Sequence, residues 1–109
     1  MSLSLIYVTT GSREEAVKIG RALVESRLAA CANVLAPMTS MYWWDGAVNE
    51  ADEVPLILKT QDSLVEQVIE KVKAIHSYDC PCVVALPISG GNQAFLDWIE
   101  TETAPKQQP

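Results

Sequence analysis

No apolar stretch of this 109-residue chain is long enough to cross a bilayer. The longest run, Cys82 to Ile88, has only the length of a strand. The first residues, Met1-Ser2-Leu3-Ser4-Leu5, lack a basic segment and a cleavage site, so no signal peptide is expected. Basic side chains are scarce: eight Lys and Arg stand against 14 Asp and Glu, a net charge of −6. That balance argues against nucleic acid and membrane as partners and is compatible with attracting cations. There is one histidine, and no serine or cysteine elbow, P-loop or glycine-rich phosphate motif. No catalytic set emerges, and the chain is not expected to be an enzyme. Cysteines number three, an odd count. Without a secretion signal they are expected as free thiols in a reducing cytoplasm. No internal linker or low-complexity stretch divides the chain, so residues 1–109 are expected to form one domain.

What is present reads as alternating strands and helices. Leu3 to Val8 is β-rich, and Gly11-Ser12 breaks it. Ser12 and Glu15 have capping-box spacing. Apolar residues at Val17, Ile19, Gly20, Leu23, Val24 and Leu28 then predict a helix from about Arg13 to about Ala30. A second strand is expected from roughly Ala32 to Trp44. Asp45-Gly46 follows, a strong hairpin signal because a type I′ turn needs positive φ twice. A two-residue loop sets Trp44 opposite Ala47, Trp43 opposite Val48 and Tyr42 opposite Asn49. The returning strand is expected to reach about Thr60. Pro37 and Pro55 interrupt the two arms at nearly opposite points, where a bulge or bend is expected. Ser63 and Glu66 repeat the capping-box spacing before an apolar stripe that predicts a helix over about Leu64 to Ile75. A strand from Cys82 to Pro87 and a short helix from Gln93 to Glu102 close the fold, with Thr103 to Pro109 expected as a frayed tail. The order is βαββαβ plus a short C-terminal helix, an α+β arrangement of ferredoxin-like type with a long β2–β3 hairpin.

Such a sheet has helices on one face only, so its strands should alternate apolar and polar. They do not. Val54-Pro55-Leu56-Ile57-Leu58 and Val83-Val84-Ala85-Leu86-Pro87-Ile88 are apolar on both faces, and Trp43 and Trp44 are adjacent. Burying one Trp is worth at most about 4–6 kcal/mol by area. One short helix is too little cover, so other copies of the chain are expected to supply the rest.

The chemistry concentrates in Ile75-His76-Ser77-Tyr78-Asp79-Cys80-Pro81-Cys82. His76, Cys80 and Cys82 are candidate metal ligands, because thiolates with an imidazole suit Cu(I) or Zn²⁺. Binding would weaken below a pH of about 6.5. The competing reading is structural. The spacing matches no established zinc motif, Pro81 stiffens the chain between the thiols, and His76 can serve the helix dipole. Cys31 reads as a packing cysteine. Trp43 and Trp44 read as contacts between chains or as a stacking surface. Lys59, among apolar strand residues, needs a partner such as Glu53 or a ligand anion. Tyr78 reads as a half-buried tyrosine or pocket residue. Asp45, Glu50, Asp52 and Glu53 form an acidic cluster, by default solvated surface.

Taken in order, Cys31-Ala32-Asn33, Ser40-Met41-Tyr42-Trp43-Trp44-Asp45-Gly46, Ile57-Leu58-Lys59-Thr60, His76-Ser77-Tyr78, Pro81 and Leu86-Pro87-Ile88 resemble the CutA family from about Leu5 to Ile99. The resemblance implies a homotrimer with interlocked hairpin arms and a role in divalent metal ion tolerance, copper especially. The cofactor would be copper, as Cu⁺ or Cu²⁺, otherwise zinc or none. Animal members are connected with anchoring another protein. The likeness of CutA trimers to PII-type signalling trimers implies, as an alternative, small-molecule clefts between subunits near Lys59, His76 and Tyr78. The chain departs from the family pattern His-Pro-Tyr-x-x-Pro-Glu, with Ser77 for the first proline and Cys82 for the glutamate. The copper ligands that the family implies fall on Thr9, Ile75 and His76, of which only His76 keeps a ligating side chain.

Overall fold

The computed structural model describes residues 2–103. Strand β1 (Leu3–Thr10) leads through Gly11 and Ser12 into helix α1 (Arg13–Glu25). Strands β2 (Cys31–Val34) and β3 (Met38–Trp44) precede the long β4 (Ala47–Gln61). A 3₁₀ turn over Asp62–Leu64 opens α2 (Val65–Ile75); β5 (Val83–Ile88) and α3 (Gln93–Thr103) complete the described chain. The fold is α+β. One antiparallel sheet runs β2-β4-β1-β5, and β3 pairs with the first half of β4.

The two faces of the sheet are set by the period of two along each strand. On one face Ile6, Val8, Leu56 and Leu58, all fully buried, meet Ala16, Ile19 and Leu23 of α1 and Val68 and Val72 of α2. Gly20 is where α1 comes nearest the sheet: a Cβ there would lie 3.0 Å from Ala32 Cβ and 3.2 Å from Leu56 Cδ1. The opposite face carries Leu5, Tyr7, Ile57 and Lys59, all only half-buried, with Val84 and Leu86 exposed. Helix α3 reaches one end of that face, where Ile99 is fully buried and Gln61 Nε2 donates to the Glu100 carbonyl at 3.2 Å.

The hairpin has the register expected from Asp45-Gly46. Trp44 faces Ala47, Trp43 faces Val48 and Tyr42 faces Asn49. Both turn residues have positive φ, 54° for Asp45 and 76° for Gly46. The arm leaves the body of the protein, so residues 41–50 are all exposed.

Several boundaries differ from expectation, each for a physical reason. Helix α1 ends at Glu25 rather than near Ala30. Ser26 Oγ donates to the Ala22 carbonyl at 2.8 Å, and Arg27 takes the left-handed conformation (φ 62°) that stops a helix. The predicted second strand is two strands, separated by Leu35-Ala36-Pro37. Pro55 remains inside β4, opposite Thr9. Its carbonyl accepts from Leu35 N at 3.0 Å. A strand residue's N and O project the same way, so the missing N–H of Pro55 faces this break and not β1. The Ser12 half of the capping box forms, with Glu15 N donating to Ser12 Oγ at 3.1 Å, while the Glu15 carboxylate reaches back to Gly11 N rather than Ser12 N. The box proposed at Ser63 does not form: the 3₁₀ turn occupies it, and α2 starts from Leu64 without a side-chain cap. Strand β5 begins at Val83, not Cys82. Thr103 belongs to α3 and is buried, its Oγ1 donating to the Ile99 carbonyl at 2.7 Å. The rest of the expected tail, 104–109, lies outside the described residues.

Candidate functional site

Where α2 gives way to the connector before β5, the backbone of His76 turns extended (φ −79°, ψ 145°). The imidazole swings inward and its side chain is fully buried. It meets a gap in the sheet. Pairing of β1 with β5 stops at Val8↔Val83, while Thr9 stands opposite Pro55 on the other side. The Thr9 carbonyl therefore has no ladder partner. His76 Nε2 lies 2.7 Å from it. The other ring nitrogen, Nδ1, accepts the Tyr78 backbone N–H at 3.0 Å. These two bonds fix the neutral tautomer with the proton on Nε2. The histidine supplies a hydrogen bond that β5 starts too late to make.

Glu15 braces the same connector. Its Oε1 accepts from Gly11 N at 3.0 Å, and its Oε2 accepts from Ser77 N at 2.7 Å. Oε2 also stands 3.6 Å from His76 Nδ1, a pairing open only to the protonated ring. Burial pushes the Glu15 carboxyl up, but the hydrogen bonds from Gly11 and Ser77 outweigh it. Its pKa lies below the ordinary carboxylate value. One carboxylate thus caps the start of α1 and holds the loop that follows α2.

Tyr78 packs its ring on His76, with centroids 4.6 Å apart and planes tilted by 55°. Its hydroxyl donates to Glu53 Oε2 at 2.8 Å. Burial, then the Glu53 carboxylate, push the phenol well above its ordinary pKa, so it remains a donor. On the arm, Ser40, Tyr42 and Trp44 alternate onto one face of β3, and that face looks toward Tyr78. Between them lies an open cleft of ≈ 480 Å³, bordered by Tyr42, Trp44, Glu53, Tyr78, Cys80 and Cys82. Its lining combines aromatic rings with the carboxylate residues Glu53 and Asp79 and the two cysteines.

Most of the residues singled out from the sequence therefore come to one place, though not as grouped beforehand. Cys80 and Cys82 are free and exposed on the cleft. His76 lies behind Tyr78 with both nitrogens engaged, and instead of serving the helix dipole it bonds the sheet. Of the two tryptophans, Trp44 borders the cleft and Trp43 points to the other side of the arm. Their exposures are 57% and 74%, so neither packs inside its own chain. Glu53 is not the partner of Lys59. The Lys59 ammonium instead donates to Asn33 Oδ1 at 2.7 Å, lies 3.7 Å from Cys31 Sγ and sits 6.0 Å from the Phe95 ring centre. Cys31 is the first residue of β2. Two contributors escaped the sequence reading. Tyr42 was visible only as a hairpin residue. Glu15 was visible only as a cap, and its spacing to Ser12 was the one signal it gave.

The copper ligand set that the family resemblance implies does not fit this arrangement. At those positions the chain has Thr9, Ile75 and a histidine with no free lone pair. Among the described residues, no three His, Cys, Asp or Glu side chains are grouped to hold a metal ion. No described helix is long and apolar enough to cross a membrane.

Residues 4–102 match the family model described as CutA1 divalent ion tolerance protein. The chain belongs to the CutA1 family. It is 44% identical over 97 residues to the divalent-cation tolerance protein CutA of Archaeoglobus fulgidus, covering 89% of this chain and 94% of that protein. It is 41% identical over 99 residues to the chloroplastic protein CutA 1 of Oryza sativa, covering 91% of this chain. It spans only about half of that plant protein's length, 56%. The crystal structure of CutA1 from Oryza sativa superposes with a TM-score of 0.93 at 39% identity, covering 97% of both chains. Membership of CutA1 ties the chain to tolerance of divalent ions, and the family is named for that role and not for a reaction.

Proposed function

We propose that this chain assembles as a homotrimer of ferredoxin-like subunits in the cytoplasm and serves divalent-cation tolerance, copper above all, by binding the ion. The observation that carries the assembly is the exposed arm. Met41, Trp43, Trp44 and Val48 are 57–74% exposed on one hairpin. Val84 and Leu86 add to the uncovered face of the sheet. Apolar surface of this extent is stable in water only when another surface covers it. Copies of the same chain are always at hand to do so, and closed rotational symmetry satisfies every copy equally. The metal part is supported by the family's role, by the net charge of −6, and by soft donors at Cys80 and Cys82. The compartment is supported by three cysteines without a disulfide. A second reading, a sensor binding a small molecule in the manner of PII trimers, is favoured by one feature. The cleft of ≈ 480 Å³ is walled by Tyr42 and Trp44, which suit stacking on a planar ligand.

Native mass spectrometry with metal analysis on one reduced preparation tests the first reading. The expected result is a particle of three chains that takes up copper. A well-folded particle of 11.9 kDa in dilute solution overturns the assembly. A trimer that binds no metal but is stabilised by a metabolite in a thermal-shift screen replaces the first reading with the second.

A further inference from the structure

The copper ligands that the family resemblance implies have no counterpart here except a histidine whose lone pair is taken, yet soft donors lie close by. We propose that Cys80 and Cys82 form a copper site of their own, two thiolates holding one Cu(I) per chain without His76. This rests on the copper reading above and names the ion's oxidation state and its ligands.

Pro81 separates the two cysteines. Proline holds its own φ near −65° and biases the residue before it, Cys80, away from the helical region. The Cys-Pro-Cys segment is thereby kept open rather than coiled. Cys80 and Cys82 border the same cleft, and both thiols are free and exposed. Cys31, the third cysteine, is half-buried in β2 beside Lys59 and takes no part.

Two thiolates select the ion. Zn²⁺ in a protein takes four ligands in a tetrahedron, and no group of three His, Cys, Asp or Glu exists among the described residues to begin one. Cu(I) is soft, prefers thiolate sulfur and is satisfied by two donors. Asp79 and Glu53 border the cleft and add negative charge that draws a cation in. Glu53 is already bonded to the Tyr78 hydroxyl, so it acts through its field and not as a ligand. Tyr42 and Trp44 border the same cleft. The ion enters as Cu(I) and leaves as Cu(I), so no electron is exchanged with the protein.

The test is anaerobic competition between the full-length reduced protein and the Cu(I) chelator bathocuproine disulfonate. The parent is expected to withdraw one Cu(I) per chain, and its copper X-ray absorption spectrum is expected to show only sulfur bound to copper. Both cysteines are exposed, so Cys80→Ser and Cys82→Ser should fold. Each should weaken binding by more than about 100-fold, beyond the cost of losing an outer-shell partner. Cys31→Ser should bind as the parent does. His76→Gln, with its fold checked by circular dichroism, should also retain Cu(I). A double Cys80→Ser/Cys82→Ser variant that competes as well as the parent overturns the proposal, as does a spectrum with nitrogen bound to copper. A parent that takes up Cu²⁺ or Zn²⁺ but refuses Cu(I) overturns it while leaving the broader metal reading in place. A parent that takes no metal in any form removes both.

Discussion

The two faces of the sheet are made from the same strands with similar residues, and they end in opposite states. Under α1 and α2, Ile6, Val8, Leu56 and Leu58 are fully buried. One residue along, on the other face, Leu5, Tyr7 and Ile57 are half-buried, and Val84 and Leu86 are 47% exposed. The hairpin arm extends that contrast, with Trp43 at 74%. Hydrophobicity alone does not distinguish the faces; the presence of a covering element does. The covered face holds one chain together, and the uncovered face and arm are surplus to that chain. Substitutions on the two sides should therefore be read by different instruments.

The largest effect is expected on the covered side. Leu56→Ala opens a cavity between β4 and α1 and should cost about 2–5 kcal/mol in denaturant unfolding. A variant as stable as the parent would mean that the core lies elsewhere. The matched change on the other side is Trp43→Ala. Surface substitutions in a folded chain usually stay within about 0.5 kcal/mol. Far-ultraviolet circular dichroism should thus be unchanged, while sedimentation velocity should show weaker association, by about 2 kcal/mol for a tryptophan anchor. If Trp43→Ala unfolds the chain without altering its association, the division between the faces is false.

The site sits at the junction of the two regions, and its brace gives a third prediction. Glu15 is held below its ordinary pKa, so its ionised form stabilises the fold. That contribution is complete above the unfolded carboxylate value of 4.5 and is lost as pH falls through the lower folded value. Glu15→Gln removes it. The variant should be about 1.5 kcal/mol less stable at neutral pH, the lower end for hydrogen bonds to a charged group. The gap should narrow as pH falls below 4.5. Denaturant midpoints of both proteins at neutral pH and below pH 4.5 check this. A gap that stays constant would show that Glu15 acts by packing and not by charge.

How much of this was legible follows from the range of each interaction. Local signals were reliable. Asp45-Gly46 gave the arm's register, and the stripe from Leu64 to Ile75 gave α2 to within a residue. The doubly apolar strands revealed that one face lacks a cover. The end of α1 was hidden because Arg27, not glycine, takes the left-handed turn. The role of His76 was hidden because its partner Thr9 is 67 residues away and is a backbone carbonyl, which no side-chain pattern marks. Lys59 was placed on the right strand but given the wrong partner. Asn33 and Cys31 reach it through the β2–β4 register, which is tertiary information. The grouping of His76 with Cys80 and Cys82 used proximity in sequence, and the fold turns the imidazole behind Tyr78.

The smallest effect concerns the tip of the arm, where the uncovered region is farthest from the core. Gly46 has φ +76°, and a Cβ there would meet nothing within 4 Å. Gly46→Ala thus carries only the backbone strain of a positive φ, about 1 kcal/mol, and no clash. Asp45 already holds positive φ, and the Asn49 side chain bridges the turn by donating to the Trp44 and Ala47 carbonyls at 3.1 Å each. The strain should therefore open the turn without shifting the register of β3 on β4. Because the arm contributes little to the folded chain, the cost should appear in association and scarcely in the unfolding of a dissociated chain. Measuring both on Gly46→Ala, with the association step read by sedimentation, separates the arm from the body more sharply than Trp43→Ala does, since no apolar surface is removed. Equal losses in the two measurements would place the arm within the cooperative core and break the comparison between the regions.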